Sequence, residues 1–183
     1  MPVDPESLHI LHYPEPVLRQ RAKEVPEVTP ELRAVAERMI RLMYDAEGIG
    51  LAAPQVGLPW RLFVAHVPPG EDRSPESDPL QATADPGVFI NPILTNPQGE
   101  LTTYEEGCLS LPEITGDVLR PEIITITATG LDGQRFTKTA SGLLARCWQH
   151  EFDHLEGVLI IDRMSQMSRL KNRSSIKRLE RDK

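Results

Sequence analysis

Residues 150–154 read His-Glu-Phe-Asp-His, an H-E-x-x-H pentapeptide. On a helix, residues four apart lie almost one turn from each other, so His150 and His154 project from the same face. Two imidazoles placed this way grip one metal ion. Glu151, next to the first of them, reaches a water at that ion and carries its proton. The chemistry is hydrolysis by an activated water. Two imidazoles inside an apolar helix are costly unless something satisfies them, and that argues for a metal over chance.

The third ligand is left open by the pentapeptide. Position 160, where an extended metalloprotease pattern places another histidine, is Ile160. Asp162 follows what reads as a short strand and remains a candidate. Glu156 is too close on the same helix, and Glu180 lies in a basic tail where an ion pair suits it better. Cys108 stands in Glu-Glu-Gly-Cys-Leu-Ser-Leu-Pro. Gly107 lets the backbone approach a ligand, Pro112 limits further extension, and a thiolate is a strong ligand for zinc or ferrous iron. Cys147, three residues before His150, is placed to line the site but reads as a small buried hydrophobe. Residues 48–55, Gly-Ile-Gly-Leu-Ala-Ala-Pro-Gln, formally match a dinucleotide fingerprint. That fingerprint follows a strand and opens a helix; here it follows a helical pattern, and Pro54 blocks a helix from continuing. A loop of backbone N–H groups ending in the Gln55 amide suits a peptide-like ligand better.

These residues need elements to position them. Thr29 caps a helix that runs to about Ala46, with Pro30 at its first position and Leu32, Val35, Met39, Leu42 and Met43 at helical spacing. Residues 60–67 read as a strand. The proline-rich stretch 68–87 reads as an exposed loop, solvated filler in the main. Residues 88–94 and 101–106 read as short strands, and 123–129 and 134–139 as a hairpin turning at Asp132-Gly133. The pentapeptide lies on a helix from about Ser141 to Glu156, stopped by Gly157 and apolar on several sides, so it belongs in the interior. Residues 158–161 leave it as a short apolar exit. Residues 168–183 show helical spacing at Leu170, Ile176 and Leu179. The expected fold is α+β: short, mostly antiparallel strands around a central buried helix bearing the pentapeptide, with an N-terminal and a C-terminal helix.

The 183 residues suit one domain, with 1–164 as its catalytic body and 165–183 as a basic helical tail. The net charge of −7 is uneven: from Arg163 to Lys183 there are eight basic and two acidic residues, a net of +6 on a body of −13. The acidic body speaks against DNA binding. The N-terminus lacks the pattern of a signal peptide, and no apolar run approaches membrane-spanning length. With only two cysteines, this reads as a cytoplasmic protein with free thiols or a metal ligand, not a disulfide.

Three segments, Gly48 to Gln55, Glu106 to Ser110 and Gln149 to His154, occur in the order and pattern that mark the peptide deformylases. The chain resembles that family over about residues 8–164. The resemblance implies removal of the N-formyl group from the formylmethionine of newly made polypeptides, with release of formate. It implies Cys108, His150 and His154 as ligands of one divalent ion, ferrous iron (Fe2+) by preference, with Zn2+, Ni2+ or Co2+ as substitutes. Glu151 would be the general base and acid, and Gln55 with the Leu109 backbone N–H would stabilise the oxyanion. Backbone groups near Ile49, Gly50 and Gly107 would hold the peptide extended. Ile49, Tyr104, Glu106, Leu143, Cys147 and His150 would wall the pocket for the methionine side chain. Two positions depart from common members: Thr115, where some carry an arginine, and Arg146, where an aliphatic residue is usual. The family's role also suggests the ribosome as partner of the basic tail.

Overall fold

A computed structural model describes residues 3–181. Helix α1 (Pro30–Asp45) opens as its sequence predicts: Thr29 Oγ1 accepts from the Leu32 N–H at 3.1 Å. Thr29→Ala removes that cap and is expected to cost about 1 kcal/mol, read from the urea midpoint. Five antiparallel strands follow in sheet order β1-β2-β3-β4-β5: β1 (Gly50–Ala52), β2 (Leu62–Ala65), β3 (Gly87–Gly107), β4 (Thr115–Thr129) and β5 (Arg135–Ser141). Helix α2 (Gly142–Leu155) carries the pentapeptide.

Strands β1 and β2 are buried on both faces, and strand periodicity sorts their residues. In β2, Leu62 and Val64 join the core under α1 with Leu32, Val35, Met39 and Met43. Their neighbours Phe63 and Ala65 face the other way, into a core with Phe89, Ile126, Leu144 and Trp148 of α2. Gly50 and Ala52 pair with Ala65 and Phe63, so this end of β1 faces α2 as well. Helix α2 stops where the sequence places its stop. Gly157 has φ +72°, and a Cβ there would stand 2.6 Å from the Arg19 carbonyl oxygen.

Four expectations need correction. The two short strands at 88–94 and 101–106 are one strand, β3, whose register slips at three points between Ile90 and Leu101. Pro92 and Pro97 fall within those irregularities, where a residue without an N–H is tolerated. Strand β4 begins at Thr115, eight residues before the expected start, so β3 and β4 form a long hairpin beside α2. Residues 160–163 are a helical turn, α3 (Ile160–Arg163), with the Leu159 N–H bonded to Asp162. The tail is two helices, α4 (Gln166–Lys171) and α5 (Arg173–Arg181). They break at Asn172, whose amide donates to the Thr115 and Ser168 carbonyls at 2.7 and 2.8 Å. Ile176 and Leu179 pack on the core as expected, while Leu170 is exposed. Residues 182 and 183 lie outside the described part.

Up to residue 86 the 68–87 segment has no helix or strand of its own, as expected, and Gly87 already opens β3. It is more than filler, because Leu80 exchanges hydrogen bonds with Thr139 and Ser141 and covers the free edge of β5.

Candidate functional site

Helix α2 lies between the sheet and the long β3–β4 hairpin. Leu144, Cys147, Trp148 and Leu155 face the sheet core. Arg146 and Gln149 donate to the Val118 and Pro121 carbonyls of β4. His150 and His154 point toward the turn after β3, where Cys108 sits. One ligand atom from each of Cys108, His150 and His154 lies within 4.8 Å of the others. Cys108 Sγ and His154 Nε2 are 3.3 Å apart. Two such ligands on a tetrahedral zinc, at about 2.3 Å for sulfur and 2.0 Å for nitrogen, stand about 3.5 Å from each other. The donor set and its spacing therefore fit a single ion. The other third-ligand candidates are engaged elsewhere: Asp162 pairs with Arg19, Glu156 with Arg21 and Arg61, and Glu180 accepts from the Tyr13 hydroxyl.

Glu151 follows His150 and is buried, and its Oε2 has no hydrogen-bond partner among the described residues. Burial pushes its carboxyl up to about 7, His150 opposing and Glu106 reinforcing the shift. Strand β1 passes hard against it. A Cβ on Gly50 would stand 2.3 Å from Glu151 Oε1, so only glycine lets the strand run there.

Glu106 organises the far side. It accepts from Arg120 at 2.6 and 3.0 Å, from Arg146 at 2.8 Å, and meets His150 Nδ1 at 3.0 Å. Burial alone would raise its carboxyl; the bonds from His150 and Arg120 outweigh that and hold it far below the usual carboxylate range. The contact at Nδ1 leaves His150 Nε2 as its ligand atom. Burial opposes charge on His150, but its bonds to Cys108 and Glu106 hold its pKa well above the usual value, while burial and the charge of His150 depress His154. Arg120 also donates to Asp153, which binds Arg163 in turn.

Gln55 is held by both ends of its amide. Oε1 accepts from the Ala52 N–H at 2.8 Å, which turns Nε2 toward the site; Nε2 donates to Ser110 Oγ at 3.1 Å and faces Cys108 Sγ at 3.7 Å.

A cavity of about 520 Å³ opens over these groups. Every site residue expected from the sequence lines it except His154, which lies behind the others at 1% exposure. The Ile49 carbonyl already accepts from the His66 N–H at 2.8 Å and the Cys147 thiol at 3.3 Å. Cys147 is buried as a small hydrophobe would be, and burial raises its thiol well above the ordinary range. Sequence reasoning missed the Arg120–Asp153–Arg163 network, and it missed Ser110, whose hydroxyl accepts from the Gln55 amide. The one local signal was a charge at Arg120, two positions after the apolar Val118.

A family model described as polypeptide deformylase matches residues 7–170. The chain belongs to the polypeptide deformylase family. A peptide deformylase of Agrobacterium fabrum is 45% identical over 157 residues, 85% of this chain and 86% of the relative. The solved peptide deformylase of Synechococcus elongatus in complex with actinonin is 40% identical, covers 96% of this chain and 89% of its own, and superposes with a TM-score of 0.80. A Plasmodium falciparum peptide deformylase in complex with an inhibitor is 36% identical, with 94% and 99% coverage and a TM-score of 0.81. Within this deformylase family framework, Thr115 is exposed opposite Gly107 at the mouth of the cavity, and Arg146 is buried in its wall.

Proposed function

We propose that this chain hydrolyses the N-formyl group of formylmethionyl peptides emerging from protein synthesis, releasing formate and a free N-terminus. The observation that carries the reading is the meeting of three candidate ligand atoms with a buried carboxylate beneath one cavity, which Cys108, His150 and Glu151 line. The buried helix α2 is the central positioning element. Cys108, His150 and His154 hold the ion, ferrous iron in the cell, with zinc, nickel or cobalt able to replace it. When bound, the ion supplies Lewis acidity, lowering the pKa of a coordinated water to about 7 and polarising the formyl oxygen. Glu151 takes the proton of the attacking water and hands it to the departing amine. Gln55 Nε2 and the Leu109 N–H donate to the negative charge that grows on the formyl oxygen. Ile49, Gly50 and Gly107 hold the peptide backbone in extended form, and Tyr104, Glu106, Leu143 and Cys147 wall the first side chain.

Formate release from a formyl-Met peptide by anaerobically prepared ferrous protein tests the reading. Cys108→Ala is expected to abolish both release and stoichiometric metal. No release by the unaltered protein, or cleavage of internal peptide bonds instead, overturns it.

No helix among the described residues is long and apolar enough to cross a membrane, and the proposed place of action is the cytoplasm, on nascent chains. Residues 165–183 serve there as a basic arm of the catalytic body 1–164. Helix α5 buries none of its residues, and Arg173, Lys177 and Arg181 are exposed. Replacing these three by glutamine leaves the Ser168 and Asn172 contacts intact. The change is expected to weaken co-sedimentation with ribosomes and flatten its salt dependence. Equal pelleting of both proteins across a salt series discards the ribosome reading.

A further inference from the structure

Arg146 is a charged residue in the wall of an otherwise largely apolar pocket, and its surroundings explain how it is tolerated. Its Nη1 donates to Glu106 at 2.8 Å and to the Val118 carbonyl at 3.0 Å. Its Nη2 donates to the Thr102 carbonyl at 2.7 Å and to Thr102 Oγ1 at 3.2 Å. A planar guanidinium with bonds on both Nη atoms to two strands cannot swing aside. Its Cζ lies 5.6 Å from the centre of the Tyr104 ring, at the range of a cation–π contact. Tyr104 is otherwise loosely held: 57% of it is exposed.

Beside the cavity over the metal ligands lies a second one of about 320 Å³. Its outer wall comes partly from the 68–87 segment, through Arg73 and Gln81. Tyr104, Leu143 and Arg146 line both cavities, so the two adjoin at these side chains. The rest of the second cavity belongs to it alone, Gln81 and Pro121 included.

We infer that Tyr104, braced by Arg146, is the partition that limits how long a first-residue side chain the cleft accepts, and that the second cavity is a latent extension for longer unbranched side chains. The inference rests on the proposed formyl-peptide reading and deepens it. The first cavity takes a methionine-sized thioether. A chain longer by a few methylenes meets the Tyr104 ring and stops. If the ring is removed, the same chain runs on over Leu143 and Pro121. Arg146 acts through Tyr104 and touches no reacting atom; it is a positioning residue.

The test compares formate release from two formyl peptides that differ only in the first residue, methionine or S-butyl-homocysteine. The quantity read is the ratio of their kcat/KM values. Tyr104→Ala is expected to move the ratio toward the longer side chain by about tenfold or more, the scale on which apolar pockets discriminate methylenes. Tyr104→Phe keeps the ring and should keep the ratio. Arg146→Met should move it in the same direction but less, through KM more than kcat. Gln81→Phe fills the second cavity without lining the first, and in the Tyr104→Ala background it should reverse the gain. A Tyr104→Ala ratio within twofold of the unaltered protein overturns the inference, and so does a gain that survives Gln81→Phe. Release from the methionine peptide with either of those results sinks this inference alone; no release from either peptide by the unaltered protein sinks the functional reading with it.

Discussion

Glu151→Gln is expected to lower kcat/KM on a formyl-Met peptide by about 10³-fold, the middle of the range for removing a general acid–base group. Metal content should not fall, because the glutamate is not among the three proposed ligand residues. Glutamine keeps the size and one oxygen but accepts no proton, so the loss reports proton transfer and not packing. The packing is tight enough to matter: β1 passes so close that Gly50 has no room for a Cβ. Retained metal with lost turnover supports the role. Turnover within tenfold of the unaltered protein would remove Glu151 from the mechanism.

The same substitution should act in the opposite direction on stability. Burial first of all lifts the Glu151 carboxyl from its ordinary 4.5 to about 7. A folded-state value above the unfolded one means that the fold favours the protonated acid. That contribution is full below about pH 4.5 and is lost as pH rises through 7. Above pH 7 the metal-free protein therefore carries a buried negative charge that the neutral glutamine amide lacks. Metal-free Glu151→Gln should be the more stable by up to about 3 kcal/mol at pH 8, with the gap closing toward pH 5. Urea unfolding in the presence of a chelator at the two pH values measures it. A site that is costly without its ion is what a catalytic carboxylate held in an apolar setting produces.

The parts of the fold legible in the sequence were those with strong local signals. Thr29-Pro30-Glu31 marks the start of α1, and Gly157 marks the end of α2 because no Cβ fits against Arg19. The pair His150 and His154 was legible as chemistry before it was legible as geometry, while Cys108 stood beside Asp162 as a candidate until the family resemblance favoured it. What hid was polar and long-range. The first half of β4 was unreadable because its inward positions are Gly116, Val118 and Arg120, while the exposed ones include Leu119. A buried arginine and an exposed leucine reverse the alternation by which a strand is recognised. Pro121 in mid-strand, opposite Leu101, strengthened the wrong reading. The tail was read as one helix because nothing local announces that the Asn172 amide reaches back to Thr115.

That inverted strand position is also where the largest stability effect is expected. Arg120→Met should destabilise the protein by about 3–5 kcal/mol, the usual cost of removing one partner from a buried charge network. Arg120 is 5% exposed and makes three hydrogen bonds, two to Glu106 and one to Asp153. Methionine matches its stem but leaves both carboxylates short of a cation. Asp153 retains Arg163, which is half exposed, and Glu106 retains Arg146 and His150. With one cation fewer, Glu106 should bind its proton more readily and hold His150 Nδ1 less firmly. Because that contact presents Nε2 to the ion, metal affinity should fall by about 10- to 100-fold. The double variant Arg120→Met with Glu106→Gln should recover stability, having removed the stranded charge, without recovering affinity. Urea midpoints and chelator competition separate the two effects. A loss below about 1 kcal/mol with unchanged affinity would show that Arg146 alone suffices to hold Glu106 against the ligand histidine.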